Sequence, residues 1–119
     1  MPLAAEILIG LIAALHLYIL WMEMFAWESR GPKVFRAVPK DLFASTKAMM
    51  ANQGLYNGFL AAGLIWALVA GPELARPLAI FFLGCVAIAG IYGALTAARR
   101  IFWIQGAPAL LALAVIGLS

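Results

Sequence analysis

The chain has 119 residues, 66% of them hydrophobic and 11% charged, with a mean hydropathy of +1.04 and a formal net charge of +3. A water-soluble domain carries roughly a quarter of its residues as charges. The composition therefore excludes a soluble globular domain, a disordered chain and a basic nucleic-acid-binding domain, and predicts an integral membrane protein with no nucleic-acid partner.

A segment crossing hydrocarbon must satisfy its own backbone hydrogen bonds, which takes a helix of roughly 20 apolar residues. Four segments meet that demand, at about residues 3–27, 48–69, 77–98 and 101–118. The expected fold is all-α, a single domain over residues 1–119 forming an integral membrane four-helix bundle. The opening Met-Pro-Leu-Ala-Ala-Glu lacks the basic n-region of a secretory leader, so the first helix is expected to be retained. Gly31, Pro32 and Pro39 interrupt the first connection; Gly71, Pro72 and Pro77 bracket the second; Arg99 and Arg100 mark a short third turn. Such short turns make the last three helices antiparallel neighbours.

Of eight Lys and Arg residues, Arg30, Lys33, Arg36, Lys40 and Lys47 lie in or beside the first connection, and Arg99 and Arg100 in the third. Only Arg76 lies elsewhere. The positive-inside rule then places both connections in the cytoplasm and both termini outside it, which predicts a multi-pass protein of the bacterial inner membrane. The basic first connection also suits contact with membrane lipids through anionic headgroups, beside its plain role in setting orientation.

The first helix carries the most informative polar groups. His16 and Glu23 stand seven residues apart on nearly one face, about 10.5 Å along the axis, with Leu20 between them and Trp27 continuing the stripe. Ionisable groups at membrane depth point to function. The alternative reading has Glu23 at the cytoplasmic boundary paired with Lys47 or Arg99, and His16 bonded to a facing helix. Glu6 and Glu28 read as interfacial anchors.

The second helix opens with Asn52-Gln53-Gly54-Leu55-Tyr56-Asn57-Gly58. Buried amides must find partners on other helices or on a bound molecule, so Asn52, Gln53, Tyr56 and Asn57 join the candidate site. Gly54, Gly58 and Ala62 form a small-residue stripe, and Cys85, Ala89, Gly93 and Ala97 form another in the third helix, with Gly90 and Ala94 beside it. Each allows close helix approach. Tyr92 and Thr96 share a face there. In the fourth helix Pro108 cannot donate to the Ile104 carbonyl, which predicts a kink beside Gln105. The single Cys85 forms no intramolecular disulfide, and the ligand spacing suggests neither a metal site nor a cofactor.

His16-Leu17-Tyr18 with Glu23 and Trp27, the block Asn-Gln-Gly-Leu-Tyr-Asn-Gly-Phe-Leu-Ala-Ala-Gly-Leu at 52–64, Ala-Gly-Ile-Tyr-Gly-Ala at 89–94 and Gln-Gly-Ala-Pro-Ala at 105–109 resemble the small four-span membrane proteins grouped as domain of unknown function thirteen-oh-four. The resemblance covers the whole chain. It implies a compact bacterial-type membrane protein and no mechanism. The architecture is also similar to that of the membrane-associated eicosanoid and glutathione metabolism proteins, although the second helix lacks their acid.

The expected function is to bind or process a small amphipathic or lipid-like molecule in an intramembrane polar pocket open to the cytoplasmic side. His16, Glu23, Asn52, Gln53, Tyr56, Asn57, Tyr92 and Gln105 would line it. Alternatives are a proton-coupled small-molecule transporter and an accessory or structural subunit of a membrane complex. Because one protomer has little room for a solvated path, a homo-oligomer is expected.

Overall fold

A computed structural model describes all 119 residues. The chain is all-helical, in the order α1 (Leu3–Phe25), α2 (Trp27–Val34), α3 (Leu42–Ser45), α4 (Lys47–Val69), α5 (Pro72–Thr96), a π-helical turn (Phe102–Gly106) and α6 (Ala107–Gly117). Two helices, α1 and α5, are long and apolar enough to cross a membrane by length and composition. The helix α4 is as long as α1, at 23 residues each, but opens with Lys47 and three amides. The last apolar helical stretch, Phe102–Gly117, is shorter.

Local chemistry sets the helix ends. Gly71 is extended, Pro72 occupies the first turn of α5, and Glu73 lies in that turn. Proline lacks a donor that this position does not need, and an acid there favours the helix dipole. The third helix therefore begins at Pro72, not at Pro77. Pro77 is accommodated inside α5, where it removes only a bond to an early carbonyl and the helix continues.

The chain comprises two compact units. Met1–Ala14 and Leu60–Ser119 form the first. Its core is built from residues three or four apart: Ala5, Ile9 and Ile12 of α1, Ala79, Leu83 and Val86 of α5, and Ala109, Ala112 and Ile116 of α6. That spacing keeps one helix face inward. Gly90 faces the backbone of Gly106, where a Cβ would collide with main-chain atoms, and Gly93 faces Ile101. The contact stripe of α5 thus runs through Leu83, Val86 and Gly90, whereas Ala89 and Ala97 of the sequence-derived stripe are exposed.

The kink expected at Pro108 takes a specific form. The N–H of Ala107 donates to the Phe102 carbonyl, five residues back, so the chain makes a wide turn at Phe102–Gly106 before regular helix resumes. Proline at 108 cannot supply the bond that would hold the narrower geometry.

Leu15–Phe59 forms the second unit. The helix pauses at Ala26, whose φ of −136° and ψ of 26° leave the helical region. Beyond that break Trp27 packs on Phe43 and Phe35, with ring centroids 4.8 and 5.6 Å away. Gly31 leaves room for the Phe43 ring, since a Cβ there would lie 2.7 Å from it. The Trp27 Nε1–H donates to Thr46 Oγ1 at 2.9 Å, and Thr46 Oγ1 donates in turn to the Leu42 carbonyl at 2.7 Å. The connection between α1 and α4 is thereby folded around an indole.

Candidate functional site

The site is assembled in the second unit, where α1 and α4 approach through glycine. A Cβ at Gly54 would lie 2.8 Å from Met24 Cγ, 2.9 Å from Glu23 Cβ and 3.2 Å from the Leu20 carbonyl oxygen. Only a residue without a side chain permits that approach. Gly58, one turn further, receives the Leu20 side chain.

Asn57 lies between those glycines and its amide reaches across. Its Nδ2 donates to Glu23 Oε1 at 2.8 Å and to the Gln53 backbone carbonyl at 3.1 Å. One amide nitrogen thus uses both hydrogens, one across the helix pair and one back along its own helix. Glu23 is 6% exposed and Asn57 8%. No buried side-chain oxygen or nitrogen anywhere in the chain lacks a partner. Glu23 Oε1 is filled by Asn57, so the small accessible remainder of Glu23 includes its second oxygen, Oε2.

His16 is fully buried in the same unit, two turns before Glu23 on α1. The other positions expected from sequence separate from this group. Gln53 contributes a backbone carbonyl while its side chain is exposed. Asn52 is exposed and its amide donates to the Ala48 carbonyl at 2.9 Å within α4. Tyr56 is exposed and stacks on Phe59, with centroids 6.0 Å apart. Tyr92 and Gln105 belong to the other unit, where Tyr92 is exposed and Gln105 is half-buried in the π-helical turn. The buried stripe of α4 runs through Gly54, Asn57, Ala61 and Leu64, which turns positions 52, 53 and 56 outward.

The residues around the site carry charge in a definite arrangement. Lys47 pairs with Glu28 at 3.4 Å, both half or more exposed. Lys47 therefore serves Glu28, and Glu23 is held by an amide. Arg30 Nε donates to Tyr18 Oη at 3.0 Å. Sequence reasoning missed this contact and the Trp27–Thr46 bond, because each joins residues whose register depends on the break at Ala26. A proline-rich connection near an indole was the one available signal. No group of three or more His, Cys, Asp or Glu side chains is placed to hold a metal ion.

Comparison with known proteins gives two matches. The model of the family described as "Protein of unknown function (DUF1304)" matches residues 10–116. The chain is also similar to the uncharacterized protein YpaA of Lactococcus lactis, with 35% identity over 113 residues, which is 90% of this chain and 92% of that protein. No solved structure matches it.

Proposed function

The chain belongs to the family of proteins of unknown function DUF1304, and we propose that it is a multi-pass inner-membrane protein that binds a small amphipathic molecule at the Glu23–Asn57 pair. The accessible second oxygen of an otherwise buried carboxyl group carries this reading. A carboxyl oxygen beside apolar helix surface accepts a hydrogen bond or a positive charge, so the complementary molecule has an ammonium or hydroxyl head and an alkyl body. Acidic groups held inside apolar helices commonly mark ligand or ion sites.

The proposed setting is a four-helix membrane bundle formed by α1, α4, α5 and the Phe102–Gly117 stretch, with the first and third connections cytoplasmic and both termini outside. Several observations support it. Leu11, Trp66, Phe81, Ile88 and Trp103 are exposed on apolar helices. Surfaces of this kind are covered by lipid or by another subunit. Seven of eight basic residues fall in or beside two alternate connections. The exposed apolar faces also fit the homo-oligomer expected from sequence.

The test uses the full chain in nanodiscs. Dodecylamine and dodecanol, probes of the two head chemistries, should raise the melting temperature of the wild type, and Glu23→Gln should abolish the response to dodecylamine. Equal responses of wild type and Glu23→Gln to both probes would remove the proposal.

A further inference from the structure

We propose that Tyr18, Trp21, Arg30 and Lys33 form a seat for the headgroup of an anionic phospholipid, separate in its residues from the Glu23–Asn57 pair. This rests on the membrane setting proposed above, though not on ligand binding at Glu23. Arg30 spends its Nε–H on the Tyr18 hydroxyl, at 3.0 Å, a contact spanning the helix break at Ala26. A guanidinium fixed through Nε keeps its two terminal nitrogens for an outside acceptor, and that fork matches two oxygens of a phosphate. Lys33 follows three residues later on α2, so the two cations lie on neighbouring positions of one helix, and both are exposed.

The aromatic side chains supply the apolar half of the seat. Tyr18 and Trp21 are tilted against each other with centroids 5.9 Å apart, and Trp21 is 47% exposed. An indole and a phenol beside two cations suit the level where phosphate meets glycerol and acyl chain. The acid nearest in sequence to the two cations, Glu28, is already paired with Lys47. The remaining basic side chains of the connection differ from this pair. Lys40 stands next to Asp41, and Arg36 lies beyond the end of α2, with its Nε donating to the Lys33 backbone carbonyl at 3.3 Å and not to an aromatic hydroxyl. The Arg30 fork suits the phosphate of any phospholipid, and two cations together complement the net negative charge that an anionic phospholipid has and a zwitterionic one lacks.

The test reads tryptophan quenching by lipids brominated on the acyl chains. The full chain is reconstituted in phosphatidylcholine vesicles containing a small fraction of brominated phosphatidylglycerol, or the same fraction of brominated phosphatidylcholine. The signal lost in Trp21→Phe isolates Trp21 from the other three tryptophans. Phosphatidylglycerol should be favoured beside Trp21 by about fivefold for each basic residue engaged. Arg30→Gln and Lys33→Gln should each reduce that preference by about that factor, Tyr18→Phe should reduce it less, and Lys40→Gln should leave it unchanged. Glu23→Gln should also leave it unchanged, which separates this seat from the ligand site. Equal quenching by the two lipids, or an equal loss in Lys40→Gln, would overturn the proposal, as would failure of the chain to insert into vesicles. Retained helical circular dichroism in each variant excludes unfolding as the cause of a loss.

Discussion

Replacing Asn57 by Leu isolates the value of the interhelical bond, and the structure makes the outcome asymmetric. In the wild type, Asn57 Nδ2 serves both Glu23 Oε1 and the Gln53 carbonyl. Asn57→Leu strips the buried Oε1 of its donor, whereas Glu23→Leu leaves the amide still bonded within its own helix. Loss of a donor to a buried carboxyl oxygen costs about 1–3 kcal/mol, and interhelical bonds in membranes fall near or below the lower end of that range. Asn57→Leu should therefore cost about 1–2 kcal/mol, and Glu23→Leu less. In the Glu23→Leu background, Asn57→Leu should cost only a few tenths of a kcal/mol, since no carboxyl remains to be deprived. The assay is reversible unfolding in mixed micelles followed by far-ultraviolet circular dichroism across the four-variant cycle. An equal cost of Asn57→Leu in both backgrounds would refute the coupling.

The packing and surface contacts give further tests by the same unfolding assay. Gly90→Ala should destabilise by about 1–3 kcal/mol because its new methyl group meets backbone atoms of Gly106, which cannot rotate away. Gly84→Ala, with nothing within 4 Å of the added carbon, should instead stabilise by up to about 1 kcal/mol through helix propensity. Thr46→Val should cost about 0.5–1.5 kcal/mol and shift the Trp27 contribution to the emission spectrum, because the indole N–H loses its acceptor. Lys47→Ala should change stability by less than about 1 kcal/mol, since the pair with Glu28 is screened at the surface.

The sequence revealed groups better than it revealed pairings. Helical periodicity put His16 and Glu23 on one inward face, and both are buried, whereas Asn57 entered with Asn52, Gln53 and Tyr56 as one polar block of which it alone is buried. Spacing along α1 joined Glu23 to His16, but the bond from Asn57 crosses between helices, and the register of two helices is not contained in either alone. Gly54 and Gly58 were legible as a close-approach stripe. That stripe continues through Ala61 rather than Ala62, which is exposed, because the inward face advances by three residues there. With Gly54 and Asn57 on the inward face, Asn52, Gln53 and Tyr56 point outward. Pro108 announced a defect in the last helix, but neither its π-helical form nor the close approach of Gly106 to Gly90 can be read from the periodicity of that helix alone. Proline at 77 misled the reading of the third helix, since Gly71-Pro72-Glu73 is the stronger start signal.

The proposed ligand site depends on the second carboxyl oxygen of Glu23. Glutamate carboxyl carbons labelled with carbon-13 give four resonances, from Glu6, Glu23, Glu28 and Glu73, and Glu23→Gln assigns one of them. On titration of the nanodisc-embedded chain with dodecylamine, the Glu23 resonance should shift saturably while the other three hold still. A Glu23 resonance that stays fixed, or moves only in step with the three others, would contradict the account.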